Sequence, residues 1–559
     1  MKNVNNRTHI YTLRSDLLDK VVWEYIDYIT NPLSEHRRRG ADDSEFAMQF
    51  VCGASQSKTT PQPHPLKVDK YTGEAKIWEL PQPSYDNAEA KIRMIVDILY
   101  RAYVKSDNGA FYVRSTVLKQ VTEQYKYILD VLSWNCVISR QYNYTEDNKY
   151  DKTTYWINDP KKIHLVSTRA LKAASKTEIQ RYNEWSAKCQ EKTTQEIIQA
   201  TSQQFVDRYN QSLRQLRIDI ALALEYIRTQ YGEYSHSALS RTYTVGKISQ
   251  KHRLCLTARD NNGRLYHIGT ELQRDIKRFT NIRYTLDCKN SHPFLLSGVI
   301  LKYIVAQGIG LHVTNWTETE HVTLLYNVTR YLLDTHGTFL HYEFSDYIRK
   351  ILDNSTLRKQ EIAKILALTE SLNNVKPDVW LYIYDAASGR VWDNLVELLN
   401  EERITVKQKV FESVVYSYTK RRNKKKEAEN KWLKAFIDRY PTVYDIIVKI
   451  KKSLHEQCVE QGQVEKLKQI KTFELENYHF TVETKDKVLL PTLMMSLESR
   501  IFTEILRRLF NKRLTCFGIH DAVAVINPKK MTVQDIQAIM MDVYKEYGML
   551  PTLSVESYD

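Results

Sequence analysis

Two acidic residues stand where a folded chain could aim them at one ion. In Tyr284–Leu296, YTLDCKNSHPFLL, a run of β-forming residues delivers Asp287 and then meets Pro293 and a second apolar run. In Leu514–Ile526, LTCFGIHDAVAVI, two apolar segments flank His520 and Asp521, the pattern of a hairpin with an acid at its tip. A carboxylate at a strand end can hold a metal ion. Taken singly, each acid is equally well a hydrated turn residue, and His-Asp is a dipeptide that chance supplies. Between the two acids, Arg403–Thr419, RITVKQKVFESVVYSYT, predicts a helix. At about 100° per residue, Arg403, Lys407, Phe411 and Val414 share one narrow face. Two cations and a ring pointing together suit a nucleotide, the cations on its triphosphate and the ring on its base. The bland alternative is an amphipathic helix whose cations snorkel to its rim.

These residues need a scaffold, and the 559-residue chain is long enough for several packed units. Its 42% hydrophobic and 26% charged residues are ordinary globular values and disfavour disorder and fibres. With 16 Gly and 13 Pro there is little room for flexible linkers, so helix should dominate. Seven scattered Cys without a CxxC pair argue against a disulfide framework or a cysteine zinc site, and fit a reducing, cytoplasmic setting. No uncharged apolar run reaches the roughly 18 residues that span a bilayer, and no signal peptide is evident. The net charge of +14 suits a polyanionic partner.

Residues 1–54 read as an N-terminal helical region and 55–86 as a Pro-rich linker. The stretch 87–165 holds helical patterns, Ala88–Tyr103 and Ser115–Leu132, then two alternating runs, Cys136–Tyr144 and Thr153–Ile157, around a charged tip. The pattern reads as a winged-helix-like unit, in which a helix and a wing could meet a duplex, or as another small α+β domain. Ser167–Thr229 is a long helical tract with Leu213, Leu216, Ile220 and Leu224 on one apolar stripe. The densest charge run, KRRNKKK at Lys420–Lys426, reads as a solvated turn or helix end, or more sharply as a contact with nucleic-acid backbone.

An acid on a first strand, a helix with RxxxKxxxF and an acid on a C-terminal hairpin, in that order, resemble motifs A, B and C of the right-handed polymerases. The resemblance is to the superfamily of the family A DNA polymerases and the single-subunit RNA polymerases of phages and mitochondria. Asn262–His267, NGRLYH, looks like the GRL segment before motif A, and Pro491–Ile501, PTLMMSLESRI, is similar to the helix before motif C in the RNA polymerases. Leu254–Asp559 is covered in all. The resemblance implies an α+β, mostly helical fold: a right-handed polymerase of palm, fingers and thumb, compact and of phage or mobile-element type. Residues 166–250 become a thumb-like region, 251–300 the first palm segment, 301–480 the fingers and 481–559 the second palm segment.

By the same resemblance Asp287 and Asp521 are catalytic and bind two Mg²⁺ ions, with Mn²⁺ as a substitute. Arg403 and Lys407 bind the triphosphate, Phe411 packs near the nascent base pair, and Arg264 and His520 hold the growing 3′ end. The implied partners are a nucleic-acid template, the nascent strand and nucleoside triphosphates, with no membrane. The chain departs from the family at the motif B tyrosine: eight residues after Lys407 stands Val415, followed by Tyr416, Ser417 and Tyr418. Either a bulge presents Tyr416, or Tyr418, which an ideal helix returns to the Lys407 face, takes the role. Where the DNA polymerases carry Glu after motif A and after His-Asp, this chain has His292 and Ala522. Both changes lean toward a DNA-directed RNA polymerase over a family A-like DNA polymerase, although His292 is large enough to act as a sugar gate. The readings from other classes are a non-catalytic replication-initiation or nucleic-acid-binding protein, and an HD-type phosphohydrolase, which lacks further ligands.

Overall fold

The computed structural model describes residues 9–30, 67–68, 75–76, 85–106, 108–119, 121–144, 150–167, 171, 195, 197–249, 254–260, 262–308, 319–355, 357, 359–417, 424–460, 470–475, 478–483, 489–528 and 531–558. Most of the Pro-rich stretch, the hairpin tip at 145–149, Lys420–Asn423 and Tyr418 lie outside them. The protein is α+β and mostly helical, with small antiparallel sheets. Among the described residues no helix is long and apolar enough to cross a membrane. The chain divides into two compact units, Met1–Lys192 with Ile220–Lys247, and Thr193–Asp219 with Ile248–Asp559. The tract expected as one thumb-like region, 166–250, is thus shared between both.

The first unit starts with β1 (His9–Leu13), α1 (Ser15–Thr30) and α2 (Tyr85–Lys105). There follow β2 (Phe111–Tyr112), α3 (Ser115–Lys119), α4 (Tyr125–Trp134), β3 (Ile138–Tyr144), β4 (Tyr150–Ile157) and β5 (Ile163–Ser167). Strands β2, β4 and β3 form one sheet in that order, and β1 pairs with β5. The periodic Ile92, Ile95 and Leu99 of α2 are buried, as their spacing requires. Helix α4 packs on α1. Tyr28 packs edge-on against Tyr127 and Trp134 at 5.2 and 4.8 Å, and the Tyr25 hydroxyl donates to Gln124 at 2.7 Å.

Three helices follow: α5 (Gln203–Leu213) in the second unit, then α6 (Ile220–Tyr231) and α7 (His236–Ile248) in the first. The single apolar stripe predicted across this tract does not form. Residues 214–219 leave the helix, with Ile218 bridging Thr280 and the Arg217 amide donating to Asn281 at 2.8 Å. That break resets the helical phase, so Leu213 and Leu216 are buried while Ile220 is 42% exposed and α6 buries Ala223 and Ile227 instead.

The second unit continues with β6 (Leu256–Arg259), β7 (Leu265–His267) and β8 (Tyr284–Cys288). A helical body follows: α8 (Ser291–Gly308), α9 (Thr319–Asp334), α10 (His341–Asp353), α11 (Lys359–Ser371), α12 (Pro377–Ala387), α13 (Val391–Leu399), α14 (Arg403–Val414), α15 (Lys424–Glu429), α16 (Lys431–Arg439) and α17 (Pro441–Glu460). Its core holds Leu324, Phe344, Tyr382, Leu395, Val410 and Ile447, all nearly inaccessible. The hairpin β9 (Ile470–Leu475) and β10 (Tyr478–Glu483) leads to α18 (Leu489–Asn511), then β11 (Thr515–Ile519), β12 (Ala522–Asn527), α19 (Val533–Glu546) and β13 (Leu553–Ser557). The sheet order β11-β12-β8-β13 places β8 between chain segments distant in sequence. In the charge run, the exposed Lys425 pairs with Glu429 one turn on, at 4.0 Å, as a solvated helix face does.

Candidate nucleotidyl-transfer site

The sheet register brings the two acids together. Asp287 stands opposite Ala522, the residue after Asp521, and the Cys288 amide points at the Asp521 carbonyl at 3.4 Å. His520 and Asp521 form the two-residue turn between β11 and β12, and His520 takes a left-handed φ of 53°. For a residue with a Cβ this costs about 1 kcal/mol or more, so the turn is held by its surroundings.

Those surroundings are a buried polar clasp behind β11. The Gly518 amide donates to the Tyr209 hydroxyl of α5 at 3.0 Å. His267 Nδ1 accepts from the Gly269 amide at 3.0 Å, which leaves Nε2 protonated to donate to the Gly518 carbonyl at 2.8 Å. Burial keeps this imidazole neutral, pulling its pKa down to about 4. Gly518 lets the clasp close: a Cβ there would sit 3.2 Å from Leu506 Cδ1 and 3.4 Å from the Tyr209 oxygen. Tyr209→Phe leaves a buried amide without its partner and should destabilise the second unit by about 1–2 kcal/mol, read as a lower midpoint in urea unfolding. An unchanged midpoint would show that the hairpin does not need the clasp.

Burial raises the Asp287 pKa, the Asp521 charge raises it further, and Lys407 and Lys277 oppose them. Asp287 Oδ1 is buried and has no hydrogen-bond partner. An ionisable oxygen orphaned beside a second carboxylate is the donor set a hard divalent cation satisfies. Among the described residues no group of three or more His, Cys, Asp or Glu forms a cage. Two carboxylates nevertheless fit Mg²⁺, which keeps waters and takes substrate phosphate oxygens as further ligands.

Around the acids the structure gathers most of the other predicted residues. Lys407, exposed on α14, lies within electrostatic reach of both Asp287 and His292. Arg264 Nε and Nη2 donate to Glu498 Oε1 at 2.9 and 2.5 Å, and Nη2 also donates to His292 Nε2 at 3.0 Å. Burial, with Arg264 and Lys407 adding to it, brings the His292 pKa down to about 4, which suits an imidazole accepting from a guanidinium. The His292 ring stacks on Phe411 at 5.1 Å and 28°. His520 stands edge-on to Tyr266 at 5.9 Å, in the field of Arg264 and Asp521.

Helix α14 buries Val406, Val410 and Val414 and ends five residues before the predicted Thr419. Its last turn is widened: the Phe411 carbonyl accepts from the amides of Val415 at 2.9 Å and Tyr416 at 3.1 Å, and the second is an i to i+5 closure. Tyr416 thereby reaches 5.3 Å from the Phe411 ring and enters the field of Arg264 and Glu498. This widened turn is a bulge at Tyr416; Tyr418, the alternative, lies outside the described residues. Arg403 makes an exposed ion pair outside this cluster. As the first residue of α14 it is 56% exposed, and its side chain turns back to Asp393 of α13 at 3.5 Å.

Sequence reasoning missed Glu498, Ser291, Lys277 and Tyr209. Glu498 is 2% exposed on α18 and binds Arg264 with one oxygen and the Ser291 hydroxyl, at 3.1 Å, with the other. The signal was legible: a lone acid in the apolar run LLPTLMMSLES must find partners. Lys277, in the 3₁₀ turn Arg274–Phe279, feels both Asp287 and Asp521, and burial holds its pKa below the ordinary value. No sequence pattern marks it. No protein-family model matches this chain, and no curated protein matches it.

Proposed function

We propose that this protein is a template-dependent nucleic-acid polymerase, a nucleotidyltransferase with the palm, fingers and thumb organisation of the right-handed polymerases, leaning toward DNA-directed RNA synthesis. The observation that carries the reading is the pairing of β8 with β12, which sets Asp287 beside Asp521, with Lys407 in the field of Asp287. In this reading Asp287 and Asp521 hold the divalent cations. When bound, Mg²⁺ supplies activation of the 3′-hydroxyl and neutralisation of the triphosphate charge. Lys407 binds triphosphate oxygens through charge-assisted hydrogen bonds. Phe411, fixed between His292 and Tyr416, packs beside the nascent pair. Arg264, locked in orientation by Glu498, faces the primer end with His520. Acceleration comes from positioning and charge.

Primer extension on DNA and RNA templates, with dNTPs and rNTPs supplied separately, tests the reading. Incorporation from rNTPs supports the RNA polymerase form, and incorporation from dNTPs alone supports the family A-like DNA polymerase. Nucleic-acid binding without incorporation under Mg²⁺ or Mn²⁺ would replace both with the non-catalytic initiator. Sugar choice should lie at the widened turn of α14. Tyr416→Ala is expected to change the rNTP to dNTP preference about tenfold, roughly 1.4 kcal/mol of discrimination. If the ratio of kcat/KM values is unmoved, sugar choice lies elsewhere, with His292, stacked on Phe411, the next candidate.

A further inference from the structure

In the first unit, two helices bring cations to one buried phenol. Arg101 and Lys105 lie one turn apart on α2, and Tyr243 and Lys247 one turn apart on α7. Tyr243 is 7% exposed. The Lys247 ammonium sits 4.7 Å from its ring centroid, and the Arg101 guanidinium 5.9 Å from it and 5.3 Å from that of Tyr11. Arg101 Nε also donates to Asp97, whose side chain is fully buried and accepts from the Tyr11 amide at 2.9 Å. That carboxylate offsets one positive charge. Lys105, which is exposed, and Lys247, which is half-buried, also act electrostatically on the Tyr243 phenol.

The phenol reports the resulting field. Burial raises its pKa, yet Lys247, Arg101 and Lys105 together bring it below the ordinary tyrosine value. Cations gathered about one ring offer charge-assisted donors to phosphate oxygens. Aromatic rings interleaved with cations also suit a nucleic-acid strand. On this surface the cations of α2 and α7 are already assembled.

We propose that Arg101, Lys105 and Lys247, arranged around Tyr243, form a binding site for phosphate oxygens of a nucleic-acid backbone. The class of partner rests on the nucleic-acid reading above, but the site requires no catalysis. The test uses the full chain, a fluorescently labelled 20-base-pair DNA duplex and salt from about 50 to 200 mM, comparing the double variant Lys105→Gln/Lys247→Gln with the parent protein. Both changes are at side chains with solvent access, and equal thermal midpoints confirm folding. The slope of log affinity against log salt should fall in magnitude by roughly 2, one unit for each lost phosphate contact, with affinity at least about fivefold weaker at physiological salt. An unchanged slope overturns the proposal. So does a result in which Lys126→Gln, on α4, moves the slope and the double variant does not. Inorganic phosphate at matched ionic strength is the second arm: full displacement of the duplex by it would identify a free phosphate as the ligand and overturn the backbone assignment. Loss of slope in a protein that never incorporates nucleotides would sink the polymerase reading and leave this site standing.

Discussion

Asp287→Asn and Asp521→Asn should each lower nucleotide incorporation by roughly 10³-fold or more while duplex affinity stays within about twofold of the parent. Each substitution removes a metal-binding oxygen and no cation, so the phosphate contacts that hold nucleic acid are untouched. The asparagine at 287 is also not expected to unfold the sheet. The native carboxylate is disfavoured by burial and by the neighbouring Asp521 charge, and an isosteric neutral group removes both penalties. A thermal midpoint equal to or above that of the parent, with activity gone, is the expected pair of results. A midpoint that falls together with binding would mean that the acids serve the fold and that the catalytic assignment fails.

Lys407→Ala should reduce kcat/KM for the incoming nucleotide by about 100-fold, with template binding unchanged. The ammonium stands on an exposed helix position, so truncation creates no cavity. Its contribution is to the triphosphate, through charge-assisted donors that strengthen as charge develops in transfer. Single-turnover kinetics at varied nucleotide concentration isolates this step from product release. Arg403→Ala is the informative partner. Its guanidinium reaches Asp393 and not the acids, so it should cost less than about threefold. Equal losses from both variants would restore the idea of a cationic pair on one helix face, and a silent Lys407→Ala would leave the acids as the sole support for catalysis.

The sequence by itself determined the elements and their order. Short runs of β-forming residues in YTLDC and in LTCFGIHDAVAVI specified strands with acids at their ends, because a short apolar run bounded by polar residues suits a strand buried on both faces. The face shared by Arg403, Lys407, Phe411 and Val414 specified α14, and the structure buries Val406, Val410 and Val414, four residues apart, along that helix. Tertiary structure alone decided which ends meet. Neither Asp287 nor Asp521 carries a local signal for the other, and their approach depends on β8 pairing with β12 across 234 positions (521 − 287). It also decided that Arg403 turns away to Asp393 while Lys407 stays. Ideal helical phase treats the two alike, and only the neighbouring α13 distinguishes them. The widened turn that presents Tyr416 and the apolar burial of Glu498 against Arg264 and Ser291 are likewise outcomes of packing. Local periodicity encodes which face a residue lies on, whereas the partner on that face is set by segments far away in the chain, whose contacts form only once the core excludes water.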